Sequence, residues 1–253
     1  MKITFLGTGT SLGVPIIGCN CKVCRSTDKK DKRFRSSVFI ETGGRSFIID
    51  TGPDFRIQCL NNGVERVDAV FITHIHRDHL SGLDDIRPFC NQQKAIIPVY
   101  GTKTTCERIL KDFAYCFGKN RYPGVPDITL KEISAEPFEV QGVKVIPIPV
   151  MHGKMEVTAY RIDNFTYITD ASFIPEESIK KIAGTEYLVV NALRKEPHPS
   201  HFTLSQALDL IEKIRPKHAY ITHVGHGFGF YDEMQKTLPE NVTLGYDGLK
   251  IEF

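Results

Sequence analysis

The sequence predicts a single α/β domain over residues 1–253, and three observations lead to that prediction. Most of the chain consists of short apolar runs separated by Gly, Pro and Asp, which is typical of β-strands and turns. A few longer segments have the periodicity of amphipathic helices. No tandem repeat, low-complexity tract or linker-like segment interrupts them, and a chain with 41% hydrophobic residues is able to bury a large core.

The strands are predicted from apolar runs that are bounded by turn residues, and they span 2–6, 37–42, 46–50, 69–73, 96–100, 144–149, 157–162, 165–169, 187–190, 218–222 and 249–252. The predicted helices span 102–117, 175–182 and 203–214, and one more follows the turn at residues 81–82. The helix over 203–214 has the clearest boundaries. Thr203 and Gln206 form a capping-box pair at its start, and Pro216 ends it.

Composition and charge argue against two classes of partner. The formal net charge is +2, so the chain has no strong overall attraction to nucleic acid or to anionic membranes. No apolar run approaches the roughly 20 residues of a membrane span. The first residues lack the apolar segment of a signal peptide, and we therefore expect a cytoplasmic protein.

The segment at about residues 87–126 is rich in aromatic residues and is predicted to be an insertion in the domain. Two interpretations of it remain open from the sequence, namely a packed helical flap and a wall of the substrate pocket. It is also a candidate surface for a homodimer.

The most informative segment is residues 74–79, with the sequence His-Ile-His-Arg-Asp-His, which follows the predicted buried strand at 69–73. Side chains two residues apart point the same way in an extended segment, so His74 and His76 are able to bind one ion. A turn then lets Asp78 and His79 bind a second ion nearby. Imidazole and carboxylate ligands suit Zn, Mn or Fe. A surface loop with histidines placed by chance is the simpler alternative, but it explains this density of ligands poorly.

Three further candidate ligands follow predicted apolar strands. His152 comes after strand 144–149, Asp170 ends strand 165–169, and His223 ends strand 218–222. A single His or Asp at a strand end is more often a cap than a metal ligand. Their common position at strand ends, together with residues 74–79, favours a site built on a rigid sheet.

The segment 74–79 resembles the H-x-H-x-D-H signature of the metallo-β-lactamase superfamily, and the later ligands occur in the order typical of that family. The resemblance covers nearly the whole chain. It implies an αββα sandwich, in which two mixed sheets pack face to face with helices outside. It also implies a hydrolase with two catalytic divalent metals, Zn or Mn, whose ions lower the pKa of a shared water and so supply hydroxide.

The resemblance assigns a role to each residue of this site. It implies that one metal is bound by His74, His76 and His152, and the other by Asp78, His79 and His223. Asp170 is implied to bridge the two ions. Asp50 is implied to orient a ligand or the reactive water. True β-lactamases have a cysteine at the position of Asp170, which disfavours β-lactam cleavage.

A second group of candidate metal ligands lies near the start of the chain. Of the seven cysteines, Cys19, Cys21 and Cys24 cluster within six residues. A structural zinc site needs four ligands, and His226 is the candidate for the fourth. Two alternative interpretations are that the cysteines are free thiols, or that His226 helps to bind substrate. Four dispersed cysteines lie among apolar residues and are predicted to be buried: Cys59, Cys90, Cys106 and Cys116.

The cysteine cluster and the glycine-rich segment at 7–15 narrow the resemblance to one branch of the superfamily. That branch contains phosphoribosyl cyclic phosphodiesterases and has an extra structural zinc at these positions. It also uses a histidine near the substrate phosphate, which corresponds to His201 here. His201 is therefore our candidate general acid.

Three other polar residues near these sites have weaker assignments. Arg194 is a candidate for binding the substrate phosphate, although a solvated surface arginine is an equally good interpretation. We expect His198 to be a loop residue. His218, inside an apolar strand, is expected to be a core histidine.

The sequence thus predicts a metal-dependent phosphodiesterase that acts on a small cyclic or nucleotide-like substrate, with nucleic acid disfavoured. Three alternatives remain. They are a ribonuclease that processes tRNA 3′ ends, a thioesterase or glyoxalase-like hydrolase, and a non-catalytic metal-binding protein. No segment resembles the long RNA-binding arm of the tRNA-processing enzymes.

Overall fold

A computed structural model of the protein describes residues 1–118 and 121–253. The strands are β1 (Lys2–Gly7), β2 (Ser37–Thr42), β3 (Arg45–Ile49), β4 (Ala69–Phe71), β5 (Ile97–Gly101), β6 (Ile128–Glu132), β7 (Phe138–Val140), β8 (Val143–His152), β9 (Met155–Ile162), β10 (Phe165–Ile168), β11 (Tyr187–Asn191), β12 (His218–Thr222), β13 (Val242–Leu244) and β14 (Lys250–Glu252). The α-helices are α1 (Phe55–Asn62), α2 (Arg77–Leu80), α3 (Arg87–Gln93), α4 (Lys103–Asp112), α5 (Glu176–Ile182), α6 (Leu204–Ile214) and α7 (Tyr231–Gln235).

The strands form two seven-stranded sheets of mixed direction. The first sheet has the order β14-β1-β2-β3-β4-β5-β6, and the second has the order β13-β12-β11-β10-β9-β8-β7. Strands β3 to β6 are parallel to one another, as are β10 to β13. Parallel strands bring their carboxyl ends to one edge of a sheet, where loops are able to combine into a site.

Three hydrophobic clusters define four layers. The cluster that includes Phe5, Phe71 and Tyr160 draws its side chains from both sheets and lies between them. A second cluster joins the first sheet to α1, α3 and α4, and a third joins the second sheet to α5, α6 and α7. This arrangement is the αββα sandwich that the sequence predicted, and the prediction is confirmed.

The boundaries of several elements differ from the sequence predictions. The helix predicted over 102–117 ends at Asp112, because Phe113 leaves the helical region with φ −118° and ψ 34°. Strands β6, β7 and β13, and helices α1, α2 and α7, were not predicted. All of these are five residues or shorter except α1, whose sequence has little amphipathic periodicity.

The aromatic segment 87–126 is part of the main architecture. Its strand β5 pairs with β4 and β6 inside the first sheet. Phe89 and Phe113 are buried in the cluster that joins this sheet to its helices, whereas Tyr122 is 78% exposed. The segment therefore supplies core structure where the sequence suggested an insertion, although residues 119–120 lie outside the described residues.

The dispersed cysteines and His218 were predicted to lie in the core. The four dispersed cysteines are buried, which confirms the sequence prediction. His218 lies half-buried in β12, where its Nε2 is 2.8 Å from Thr243 Oγ1.

Within the described residues, no helix has the length and apolar character needed to cross a membrane.

The capping box predicted for α6 is confirmed and yields a stability test. Thr203 Oγ1 accepts a hydrogen bond from Gln206 N, and Gln206 Oε1 accepts one from Thr203 N. We expect Thr203→Ala to lower the free energy of unfolding by about 1 kcal/mol, because both bonds and the helix start are weakened. Urea denaturation followed by circular dichroism measures this change.

Thr102→Ala is the matched control for the capping test. Thr102 also caps a helix, with its Oγ1 3.4 Å from Thr105 N and 3.1 Å from Thr105 Oγ1, but among the described residues no side chain returns a bond to Thr102 N. The loss of stability is expected to be smaller for this variant. If both variants lost the same free energy of unfolding, the reciprocal bonds between Thr203 and Gln206 would not explain the stability of the helix start.

Candidate metal centre

The candidate ligands converge where strands of both sheets end. In the first sheet, Asp50 directly follows β3, and residues 74–79 follow β4. In the second sheet, His152 ends β8, Asp170 follows β10, and His223 directly follows β12. The two facing sheets thus bring five separate segments of the chain to one edge of the sandwich.

Close backbone packing holds residues 74–79 in place. Helix α2 begins within this segment, and Thr51 N donates to His79 O at 2.8 Å. A Cβ atom on Gly52 would lie 2.1 Å from Asp78 O, and one on Gly82 would lie 2.0 Å from Gly52 O. Only glycine fits at these two positions, because any side chain would push the ligand segment away from β3.

The ligand atoms form two groups, and within each group they lie within 4.8 Å of one another. The first group is His74, His76, His152 and Asp170, and the second is Asp78, His79, Asp170 and His223. Asp170 belongs to both groups, which matches the bridging position implied by the sequence. All of these residues are buried or half-buried except His76, which is exposed.

Hydrogen bonds fix the orientation of three of the histidines. His79 Nδ1 lies 2.7 Å from Asp50 Oδ2, and His152 Nδ1 lies 2.6 Å from Ser200 O. His74 Nδ1 lies 2.9 Å from the hydroxyl of Thr73, which itself donates to Asp50 at 2.8 Å. Each Nδ1 therefore carries the hydrogen, and each Nε2 keeps a lone pair for a metal.

Unsatisfied buried atoms test whether these residues fit metal ions. His74 Nε2 and His79 Nε2 are buried and make no hydrogen bond with any part of the chain that the structure describes, although His79 Nε2 lies 3.1 Å from Asp78 Oδ2. Buried polar nitrogens without partners are costly, and a cation at each group would satisfy them. Nitrogen and carboxylate donors suit borderline divalent metals such as Zn and Mn. The residues fit a pair of divalent cations.

The carboxylates make this site favourable for positive charge. Burial lowers the pKa of His79, but the carboxylates of Asp170, Asp78 and Asp50 outweigh burial and hold that pKa well above its usual range. Burial likewise raises the pKa of Asp170, but the neighbouring His223 and His79 outweigh it and hold the pKa well below the usual range. The carboxylate of Asp170 therefore stays ionised, and the raised pKa of His79 shows that its surroundings favour a cation at Nε2, the position that a metal would take in place of a proton.

The backbone is strained at three of the site residues. Asp50, Asp170 and His223 have φ values of 65°, 56° and 57°, in the left-handed region that non-glycine residues rarely adopt. Such conformations cost about 1–3 kcal/mol each and persist only where the surrounding structure enforces them. Each of the three follows the end of a strand, and the turn there places Asp170 and His223 among the ligands and Asp50 against the ligand His79.

The cysteine cluster and His226 form a second, separate centre. The Sγ atoms of Cys19, Cys21 and Cys24 each lie 3.4 Å from His226 Nδ1. Three sulfurs and one imidazole are a donor set that suits zinc. The N–H of Cys24 donates to Cys21 Sγ and is the largest factor that lowers the pKa of Cys21 to about 6, which favours the thiolate that metals bind.

The remaining candidates lie beside the first centre. The His201 ring is 4.6 Å from that of His152 and 4.9 Å from that of His223, measured between centroids. The His198 ring is 5.0 Å from that of His201, so His198 belongs to the site rather than to a remote loop. The Arg194 guanidinium donates to the carbonyls of Glu196 and Pro197, and so it stabilises the loop that precedes His198.

A family model for the beta-lactamase superfamily domain matches residues 45–224, which contain all the ligands of the first centre. The chain belongs to the beta-lactamase superfamily. A solved structure of the same fold, described as a new diphosphatase from the PhnP family, is 40% identical with a TM-score of 0.93. It covers 100% of this chain and 96% of its own.

Two curated relatives differ from each other in function. An octanoyltransferase of Porphyromonas gingivalis is 40% identical over 99% of this chain, and the chain spans only 51% of that relative. A ribonuclease Z of Mycobacterium bovis is 25% identical over 78% of this chain and 71% of its own length. The chain thus spans about half the length of the first of these relatives.

Apart from Asp50, the residues that orient the ligands were not predicted from the sequence. Thr73 and Ser200 hold two of the histidines, and Ser36 Oγ lies 3.2 Å from His223 Nδ1. Thr73 and Ser200 directly adjoin predicted functional histidines, and this adjacency was the available signal. Ser36 is distant in sequence from every ligand, so no local pattern could identify it.

The metal content of the protein and its variants tests whether Asp170 is shared by the two groups of ligands. We expect about three divalent ions per chain, one for each group of ligands, because each group offers a complete donor set. Asp170→Asn is expected to remove two ions and Cys21→Ser one. Elemental analysis of the purified variants measures the content, and circular dichroism confirms that they fold.

Asp78→Ala is the matched control for Asp170→Asn, since Asp78 belongs to only one group. It is expected to remove one ion at most. If Asp170→Asn also removed one ion or none, Asp170 would not be a shared ligand.

The buried pair of Asp50 and His79 provides a second test. Both side chains are fully buried, and the carboxylate accepts from His79 Nδ1. We expect Asp50→Asn to weaken binding of the second metal by about 10–100-fold, because a carboxamide orients the imidazole poorly and stabilises less charge. Competition with a chromophoric chelator measures the affinity, and an unchanged value would exclude the orienting role.

Proposed function

We propose that the protein hydrolyses phosphodiesters or related phosphoric esters of small molecules. The observation that carries this proposal is the shared carboxylate of Asp170 between two groups of metal ligands, with the His201 imidazole beside both. The similarity to a PhnP-family diphosphatase, at 40% identity over the whole chain, supports the same class of reaction.

The residues of the first centre would hold two divalent cations, which we propose are Zn or Mn. When bound, such a pair lowers the pKa of water and offsets the negative charge that develops on the phosphoryl oxygens. Asp50 and Ser200 keep the histidine ligands in their orientation, and Asp50 is too deeply buried to contact substrate. We also propose that the Cys₃His centre holds a structural zinc.

We assign the general-acid role to His201. It is 9% exposed, and its Nδ1 is buried without a partner among the described residues. Burial and the neighbouring His223 lower its pKa to about 3, so the free protein holds it neutral at pH 7. The anionic phosphodiester favours the protonated form, and His201 then donates its proton to the oxygen of the leaving group.

Ribonuclease activity is the second candidate. It is favoured by the 25% identity to a ribonuclease Z over 78% of this chain. The net charge of +2 argues for a small substrate instead. A thioesterase or glyoxalase-like hydrolase and a non-catalytic role have no comparable support.

Cytoplasmic location, organisation as one domain and formation of a homodimer stay predictions.

Hydrolysis of bis(p-nitrophenyl) phosphate tests the proposed activity. We expect turnover that is abolished by a chelator and restored by added Mn or Zn, because the ligand groups act only with metal present. Release of p-nitrophenolate measures the rate. A fully metal-loaded protein that cleaves neither this ester nor a small cyclic phosphodiester would contradict the proposal. Cleavage of precursor tRNA alone would favour the second candidate.

The role of His201 predicts a dependence on the leaving group. We expect His201→Ala to lower kcat/KM for diphenyl phosphate by roughly 10²–10⁴-fold, since phenolate needs a proton to depart. The loss for bis(p-nitrophenyl) phosphate should be much smaller, because p-nitrophenolate leaves readily without one. Steady-state kinetics on both esters measures the difference, at unchanged metal content.

His218→Gln is the matched control for this test. His218 lies in β12 of the second sheet, where it faces Thr243 and not the ligand groups. Its replacement is expected to leave both rates unchanged. Equal losses on the two esters for His201→Ala would show that His201 does not act as the acid.

A further inference from the structure

A groove of about 350 Å³ lies between the loops that follow β1, β11 and β12, and the chemistry described above does not use it. Its lining includes Thr10, Ser11, Leu12, Ile16, Leu193 and Arg194, and most of the exposed lining surface is apolar. Leu12 is 58% exposed there. Sites for small molecules have volumes of roughly 300–1,000 Å³ and combine apolar walls with a few polar groups, as this groove does.

One end of the groove is formed by loops that also carry residues of the catalytic centre. Arg194 lines this end and lies on the loop after β11, which also carries His198 and His201. Gly225 lines it too and follows the ligand His223 by two residues. The groove and the metal centre therefore share the loops that follow β11 and β12.

Backbone hydrogen bonds between three loops form the floor of the groove. Thr10 N donates to Val224 O at 3.2 Å, and Gly225 N donates to Leu193 O at 3.0 Å. A Cβ atom on Gly225 would lie 3.2 Å from Leu193 O, so the loops pack as closely as a glycine permits. The groove is thus formed before any ligand binds, which lowers the entropic cost of binding.

The Cys₃His centre supports the outer wall. Ile16 N donates to Cys24 Sγ at 3.4 Å, and His226 itself lines the groove. The irregular loop at residues 10–24 is therefore fixed against the loop that follows β12. The cysteine cluster therefore supports the wall of the substrate site as well as the stability of the protein.

From the shared loops and the apolar walls, we propose that the groove binds the apolar arm of the substrate. This inference rests on the proposed phosphodiesterase function and narrows its substrate class. The metal centre attracts the anionic phosphoryl group, and an aryl or alkyl substituent lies along Leu12 and Ile16. The preferred substrate is then a small phosphoric ester with one apolar substituent.

Two esters with the same leaving group test this proposal. Phenyl p-nitrophenyl phosphate and methyl p-nitrophenyl phosphate differ only in the arm that remains on phosphorus. We expect Leu12→Asn to lower the phenyl-to-methyl ratio of kcat/KM by about threefold to tenfold, because one apolar wall of the groove becomes polar. The metal-loaded wild-type protein provides the reference ratio.

Leu60→Asn is the matched control. Leu60 is 62% exposed and lines a different apolar groove of about 270 Å³, between α1 and α3. We expect it to keep both the ratio and the rates of the wild type. If Leu12→Asn and Leu60→Asn both kept the wild-type phenyl-to-methyl ratio of kcat/KM, the groove proposal would be overturned. The proposed phosphodiesterase function would be unaffected by that result.

Two other outcomes separate the remaining explanations. Failure of the wild type to cleave either ester would contradict the proposed function itself. Light scattering tests whether a second copy of the chain occupies the groove. A dimer that Leu12→Asn converts to a monomer would overturn the proposal, and an unchanged molar mass together with a lower ratio would support it.

Discussion

The carboxylate of Asp170 is the feature on which the rest of the site depends. It is 2% exposed, has a strained backbone and belongs to both groups of ligands. A buried carboxylate is stable only if positive charge or hydrogen-bond donors surround it. The histidines that converge on it come from both sheets, so the face-to-face packing of the sandwich determines the spacing of the two groups.

A second set of contacts links the metal centre to the surface where substrate arrives. His223 and His226 lie on one loop, yet they belong to different ligand groups. That loop also packs against residues 8–10 and 193 through backbone hydrogen bonds. The catalytic centre, the cysteine cluster and the apolar groove therefore share one structural element.

Most of the site could be predicted from the sequence, because its ligands follow apolar strands and residues 74–79 form a dense local motif. The pairing of Cys19, Cys21 and Cys24 with His226 was also predicted, although they are some 200 residues apart. Thr73 and Ser200 were not, since only the folded chain places their oxygens against imidazoles. Strand β5 was predicted within a supposed insertion, and its place in the sheet depends on long-range pairing.

Anomalous X-ray diffraction from crystals of the metal-loaded protein shows whether Asp170 is a shared ligand, because it locates each ion. We expect two peaks about 3.5–4 Å apart, on either side of the Asp170 carboxylate, and a third peak among Cys19, Cys21, Cys24 and His226. A single peak at the first centre, or a pair of ions that Asp170 does not contact, would contradict this expectation.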